Sequence, residues 1–414
     1  MDAKDLLTLG LGLVEPWKVV DQELDTGSNP SELRLKIAAE RGSYYPCPKC
    51  GEPCQAHDFK ELTWRHLNFF QHHCLIKARV PRVACTKHGV HRVEVPWARP
   101  GSGFTLLFEQ MVMALSREMP VATIAQYAGT TDKRLWRVIQ HYVSKAMEKI
   151  DLSKLESFGL DETSSKRKHR YVTVFIDMDR EFRPVVFAVE GRGKNSVKAF
   201  KAWLKRKNGA PDKVLEVVSD MSGSYIAAVK EHFPKADVTV DWFHVVQLFT
   251  RAVDDTRRIE ARKREMPDGA RWGVLKGRET ARTQTQEDAL RELESEGYAT
   301  GIAYNIKEKL RWIRRAETSH AARWRATNFI NYARRMTEGK EMLGQVRKAI
   351  ETFERHLERI LFRWRSWHTN ARLEGFNGLF QAARARARGY RNVQTFITMI
   401  YLIGAPIREL LWND

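Results

Sequence analysis

The chain has 414 residues, with 70 Lys+Arg against 51 Asp+Glu and a net charge of +19. That length suits two to four domains, and the basic excess favours a polyanionic partner, most often nucleic acid, with an anionic membrane surface as the competing reading. No apolar run reaches the roughly 18 residues of a membrane span, and the start, MDAKDLLTLG, lacks a secretory leader's basic region and apolar core, so a cytoplasmic protein outside the membrane is expected.

In residues 1–45, Trp17–Leu24 and Leu33–Ile37 read as two strands joined by the turn-rich DTGSNPS. All five cysteines then fall between Cys47 and Cys85. Cys47-Pro-Lys-Cys50-Gly is a knuckle whose turn lets both thiolates face one ion, and Cys85-Thr-Lys-His88-Gly matches it, with LIKARVPRVAC alternating between them like a hairpin strand. Three thiolates and one imidazole predict one structural Zn2+, tetrahedral and without an open catalytic position. Cys54, His57, His72, His73, Cys74 and His91 are spare ligands, and unmetallated buried cysteines are the alternative.

Phe104–Met119 has helical apolar spacing. Val121–Ala128 reads as a short helix, Gly129 as a tight turn, Thr130–Asp132 as a cap and Lys133–Val143 as a second helix, with Ile124, Ala125, Leu135, Val138 and Ile139 closing a core. Lys133, Arg134 and Arg137 decorate that second helix, which is helix-turn-helix spacing with a basic recognition helix. An ordinary helix pair is the bland reading.

Residues 151–250 change character. Ser157–Leu160 leads into Asp161, and Tyr171–Met178 and Pro184–Val189 are strong strands close enough to pair. A helix at Ser196–Arg206, the buried strand Leu215–Val218 ending at Ser219-Asp220, a helix at Ser224–Phe233 and the strand Val238–Val240 ending on Asp241 follow. The order β-β-β-α-β-α-β is the ribonuclease H-like topology, in which the first strand is central and the fourth pairs beside it. Asp161 and Asp220 then share an edge, where open α/β sheets place their sites. Asp177 and Asp179 fall at the wrong edge, and Glu162 faces the opposite side of the sheet from Asp161.

Residues 251–365 are helical and heavily charged, a helical insertion with a phosphate-contacting or merely solvated surface. In 366–414, Asn370 is placed to N-cap a helix carrying Glu374, Asn377 and Gln381, followed by Arg384, Arg386, Arg388, Tyr390 and Arg391 and an apolar last helix, Phe396–Ile403. Asp161, Asp220 and Glu374 are the candidate acids. Phosphodiester cleavage or transfer uses two divalent ions about 4 Å apart, and Mg2+, with Mn2+ as substitute, takes such hard oxygen ligands. Asp241, His244 and Asn377 are supporting candidates.

CPKCG…CTKHG, the helix pair, GLDE, VVSDMSGSY, VDWFHV and TNARLEGFNGLF…ARGYRN, in that order, resemble the bacterial insertion-sequence transposases of the ISL3 family, within the DDE superfamily. The resemblance covers essentially the whole chain. It implies a multidomain α+β and α/β protein: a β and zinc-ribbon-like region (1–100), a helix-turn-helix (101–150), and a ribonuclease H-like core (151–250 and 366–414) split by a helical insertion (251–365). Carried residue by residue, its acids are Asp161, Asp220 and Glu374, and its zinc ligands Cys47, Cys50, Cys85 and His88. It implies a nucleoid-associated enzyme that binds double-stranded DNA at the element's terminal inverted repeats and at a target. Lys133, Arg134, Arg137, Arg384, Arg386, Arg388 and Arg391 are the candidate contacts. The resemblance further implies metal-dependent cleavage and strand transfer in a homodimer or larger synaptic complex. A DNA-binding regulator with an inactive core, and a nuclease of the same fold that cuts without joining, are the competing readings.

Overall fold

In a computed structural model of the chain, the described residues are 2–40, 42–166, 170–277, 279–366 and 368–412. They divide between two compact units, Met1–Gln140 and His141–Asp414.

The first unit begins with α1 (Ala3–Gly10) and the strands β1 (Trp17–Asp25), β2 (Glu32–Ala39), β3 (Tyr45–Pro46), β4 (Pro53–Cys54), β5 (Ala56–Arg65), β6 (His73–Cys85) and β7 (Gly89–Arg92). The alternation seen in LIKARVPRVAC makes β6 the spine: the sheet runs β1-β2-β6-β5, with β7 also on β6. Cys74, Ile76, Ala78 and Val80 point inward along it. Trp97 packs edge-on against both Trp17 and Trp64 and anchors the core. The tiny β3–β4 pair, absent from the sequence reading, presents the first knuckle.

The helices α2 (Leu106–Glu118), α3 (Val121–Tyr127) and α4 (Asp132–Lys149) follow. Ile124, Ala125, Leu135, Val138 and Ile139 are all buried, as their spacing predicts. Gly129 turns the chain at φ +62°, and a Cβ there would run into the His73 ring, so the turn requires glycine. Helix α4 extends six residues past the expected end at Val143, because buried Ala146 and Met147 continue its apolar stripe.

In the second unit β8 (Ser157–Lys166), β9 (Arg170–Asp177) and β10 (Val185–Glu190) form an antiparallel meander. Helix α5 (Lys194–Arg206), strand β11 (Glu216–Ser219), helix α6 (Gly223–His232) and strand β12 (Asp237–Val240) follow. The sheet order is β10-β9-β8-β11-β12, with β11 parallel to both β8 and β12. The first strand is therefore central and the fourth lies beside it, as the pattern predicts. Strand β9 is buried along most of its length because both faces are covered. Phe158 and Phe175 meet Phe200 of α5 on one face. Val172, Val174, Ile176 and Val218 pack with Leu373, Phe376, Phe380 and Ile400 on the other.

Helix α7 (Trp242–Glu260) runs without a break through the boundary expected at residue 250. With α8 (Ala270–Leu275), α9 (Gln284–Ser295), α10 (Ala299–Arg314), α11 (Ser319–Thr337), α12 (Gly344–Arg355) and α13 (Leu357–Ser366) it forms a helical assembly around its own core, centred on Phe249, Tyr304, Phe329 and Phe353. Among the described residues no strand interrupts it. The chain ends with α14 (Ala371–Arg386), α15 (Val393–Gly404) and α16 (Ile407–Trp412). The apolar helix predicted at Phe396–Ile403 is thus longer than expected and is not the last.

Candidate functional site

Register determines where the acids stand. Val218 pairs with Gly159 and Thr239 with Val218, all in parallel. Two residues further along each strand, Asp161, Asp220 and Asp241 come level on three neighbouring strands. Residues in parallel register share a face, here the one covered by α14, since Val218 and Leu373 share a core. Asp177 pairs with Phe158 at the other end of β8 and is excluded from this edge. Glu162 turns to the opposite face, where the Tyr225 hydroxyl donates to it at 2.8 Å.

Helix α14 lies along β8 through a ladder at helical spacing. Asn377 donates to Asp161 Oδ2 at 2.9 Å. Gln381 donates to Thr163 Oγ1 at 2.8 Å, and Arg384 donates to the Ser164 carbonyl. Glu374, one turn before Asn377, belongs to the same face. The helix is anchored at its start by Asn370. Its backbone N–H donates to Asp241 Oδ2 at 2.8 Å, and its side-chain amide spans the Leu160 and Val218 carbonyls at 3.2 and 3.4 Å. The side chain therefore does not cap α14, contrary to the sequence reading: it is fully buried between two strands, and those carbonyls take its donors. Gly159 makes room for it, since a Cβ there would collide with Asn370 Oδ1.

A second tether lies at the other end of β11. Glu216 is buried within an otherwise apolar strand. It accepts from Thr239 Oγ1 at 2.5 Å and Ser366 Oγ at 2.6 Å, and its other oxygen meets His368 Nδ1 at 2.8 Å. The segment entering α14 is thus fixed to β11, whose Glu216 is itself tied to β12. Sequence reasoning missed Glu216, Ser366, His368 and this role of Asn370. A lone acid inside VLEVVS was the available signal, because carboxylates are almost never buried unpaired.

The acids crowd one another. Burial, with the charges of Asp220 and Glu162 adding to it, pushes the Asp161 carboxyl up to about 6, against the opposing pull of the Glu162 N–H and of His244. Burial first, then Asp241 and Asp161, pushes Glu374 up to about 7. Glu374 Oε1, Asn377 Oδ1, Asn370 Oδ1 and His244 Nε2 are buried without a hydrogen-bond partner. Three unpaired acceptor oxygens among mutually repelling carboxylates suit a hard cation. The three candidate acids do not bring one oxygen each within 4.8 Å of one another; among the described residues only the cysteine cluster is that tight. Carboxylates shared between two ions need a wider spacing than ligands of one.

These shifts give a stability test. An acid whose folded pKa lies above its unfolded value of about 4 contributes stability that is fully present below the unfolded pKa and is lost as pH rises through the folded one. The Tm advantage of wild type over Glu374→Gln in metal-free protein is therefore expected to shrink between about pH 4 and about pH 7, the folded value for Glu374. Calorimetry in chelator measures it, and a growing advantage contradicts this environment.

In the first unit, Cys47, Cys50, Cys85 and His88 bring their ligand atoms within 4.8 Å of one another. Cys50 Sγ lies 3.8 Å from Cys85 Sγ, and Cys85 Sγ lies 3.6 Å from His88 Nδ1. A tetrahedral Zn2+ with bonds of about 2.3 Å to sulfur and 2.0–2.1 Å to nitrogen has edges of about 3.8 and 3.6 Å, so the four residues fit. His88 lowers the Cys85 thiol to about 6 by hydrogen bonding, which favours the thiolate a metal needs. His91 Nε2 contacts the His88 carbonyl oxygen at 2.7 Å. The spare candidates stand outside the cluster: Cys74 is buried elsewhere, Cys54 Sγ contacts the Glu52 carbonyl, and His72 contacts Ser31.

Lys133, Arg134 and Arg137 are exposed on α4, with the Arg134 guanidinium stacked over Phe104 at 4.5 Å. Arg386, Arg388 and Arg391 are exposed, whereas Arg384 is half-buried on β8. Among the described residues no helix is long and apolar enough to cross a membrane.

A cysteine–histidine knuckle, a basic helix pair and a mixed sheet with level carboxylates describe a DNA-processing protein. Comparison with known proteins is specific. Residues 44–88 match the zinc-finger of transposase IS204/IS1001/IS1096/IS1165, residues 93–143 the helix-turn-helix domain of transposase family ISL3, and residues 158–400 the ISL3 DDE domain described as "Transposase". The chain belongs to the ISL3 family of transposases. It is 26% identical over 311 residues to the transposase for insertion sequence element IS1557 of Mycobacterium tuberculosis, covering 72% of this chain and 68% of that one. To the transposase for IS1001 of Bordetella parapertussis it is 25% identical over 370 residues, covering 86% and 87%. It is a DNA-binding transposase.

Proposed function

We propose that this transposase recognises the terminal inverted repeats of its element and cuts and joins DNA at Asp161, Asp220 and Glu374, in a ribonuclease H-like core formed by residues 151–250 and 366–414 and interrupted by 251–365. The observation that carries the reading is the level register of Asp161 and Asp220 opposite a helix whose Glu374 holds a buried, unpartnered oxygen. When bound, two Mg2+ ions supply Lewis-acid activation of the attacking oxygen and stabilise the leaving one. Asp161, Asp220 and Glu374 hold them, and Asp241 and His244 support the site.

The chain's own contributions are positional. Asn377 fixes the Asp161 carboxylate, and Asn370 fixes the helix that presents Glu374. With both phosphodiester oxygens so aligned, water attacks phosphorus in line and the P–O3′ bond breaks, leaving a 3′-hydroxyl. That hydroxyl then attacks a target phosphodiester, forming one P–O bond as another breaks. No covalent protein–DNA intermediate is required. Cys47, Cys50, Cys85 and His88 hold one structural Zn2+, and Lys133, Arg134 and Arg137 read the ends. The enzyme acts in the cytoplasm at the nucleoid, as a dimer or larger complex that pairs two ends.

The test is to incubate the protein with its flanking DNA ends and Mg2+ and map the cuts. Cleavage at the element boundary, and joined product from pre-cleaved ends, are expected. No cleavage with either Mg2+ or Mn2+ leaves a DNA-binding regulator, and cutting without joining leaves a nuclease.

A further inference from the structure

The helical assembly pairs off much of its positive charge. Arg257 is matched by Asp254, Arg264 by Glu296 and Arg334 by Glu354. One place differs. A cleft of about 500 Å3 opens between the end of α6, the edge strand β12, the start of α11 and the face of α13. Five cations line it, Lys230, Arg323, Arg355, Arg359 and Arg365, against two carboxylates, Asp237 and Glu358. Arg323 is held by Glu358 at 2.6 Å. Among the described residues, Lys230, Arg355, Arg359 and Arg365 take part in no ion pair. Arg359 meets the His356 ring nitrogen at 3.3 Å, and Arg365 lies over Phe362, with its charge also felt at Glu358.

We propose that this cleft binds the phosphate backbone of double-stranded DNA without reading its sequence, as the seat of the target duplex. The inference rests on the transposase reading above. Three features select the occupant. Unpaired arginines held apart on fixed helices suit phosphate, which arginine recognises through paired N–H donors. Arg359 and Arg365 are six residues apart on α13, roughly 9 Å along its axis. A small anion fills one point, whereas a duplex presents about five phosphates over that length, at one charge per about 1.7 Å. The location also fits. Helix α13 packs along β12, whose far end leads into Asp241. Asp237 and Asp241 are four residues apart, roughly 13 Å of strand, so a duplex in the cleft runs toward the carboxylate edge. The Asp220 charge is felt at His356, beside Arg355.

The experiment uses the full chain with three substitutions together, Arg355→Ala, Arg359→Ala and Arg365→Ala, and separately Lys230→Glu at an exposed position. Binding of a duplex lacking the terminal repeats is followed by anisotropy against salt. Each lost phosphate contact makes the log–log slope shallower by about 0.9, so the triple variant is expected to lose roughly 2 to 3 units of slope and to bind roughly 10- to 100-fold more weakly at low salt. Joining of pre-cleaved ends should fall at least 10-fold while cleavage at the element ends persists. Arginine-to-lysine replacements at the same positions should restore most of the slope, which a folding defect would not allow. Unchanged slope and joining in both variants overturn the proposal. So does a changed oligomeric state by light scattering with unchanged slope, which assigns the cleft to an acidic surface of a second copy. If wild type neither cuts nor joins yet the triple variant shows the slope change, the transposase mechanism fails and the cleft stands as a duplex-binding site.

Discussion

Asp220→Ala is expected to leave the protein folded and bound to element ends while lowering strand cleavage by about three orders of magnitude. The aspartate follows β11 directly, level with Asp161 and Asp241 on the neighbouring strands. Its half-buried carboxylate accepts from the Ser222 N–H at 2.9 Å, so removing it opens no core cavity. What is lost is one of the three carboxylates proposed to hold the metal ions, whose charge stabilisation is worth several kcal/mol. At about 1.4 kcal/mol per tenfold, roughly 4 kcal/mol gives the stated factor. Gel-shift binding and single-turnover cleavage, measured on the same preparation, check it. Cleavage within tenfold of wild type would remove Asp220 from the chemistry.

Zinc removal should be as drastic, but for structure. The β3–β4 turn carries Cys47 and Cys50, while Cys85 ends β6 and His88 lies in the turn after it. Without an ion, these turns are linked by long Cys47–His88 and Cys50–Cys85 contacts and by the exposed Lys87–Glu52 pair, and an exposed pair contributes little. Structural zinc contributes on the order of 10 kcal/mol in zinc-finger peptides, comparable to the total stability of a domain. Elemental analysis should find about one zinc per chain, and none in Cys47→Ser/Cys50→Ser. That variant should lose end binding and the cooperative unfolding of the first unit, while the second unit keeps its own transition. Full metal content in the variant would place the ion elsewhere.

Both sites were legible in the sequence to different depths. The zinc cluster announces itself because its ligands are neighbours in pairs, so local spacing carries the geometry. Asp161 and Asp220 could be brought together because YVTVFIDM, PVVFAV and LEVVS are strands that little else could be, and their order admits few sheets. Glu374 was harder: nothing local separates it from other helical glutamates, and its place depends on a ladder from Asn377 and Gln381 to β8. The tethers were invisible. Glu216 meets His368 across 152 positions, and Asn370 reads locally as a helix cap until two strand carbonyls claim its amide. Arg384 reads like its neighbours Arg386 and Arg388, yet it turns inward to Ser164. In each case a long-range contact overrides a sound local preference.

The docking of α14 has a further consequence for how the gene can change. Glu374 is positioned by contacts within its own helix and strap, to β8, β11 and β12, and the strands beneath do not depend on the length of chain that comes before Ser366. The intervening helices pack around a hydrophobic core of their own, which α7 and α13 close. The entropy of closing a flexible loop rises by only about 0.6 kcal/mol for each doubling of its length. Insertions in the loops that join these helices are therefore expected to cost little, and the third carboxylate stays level with the other two.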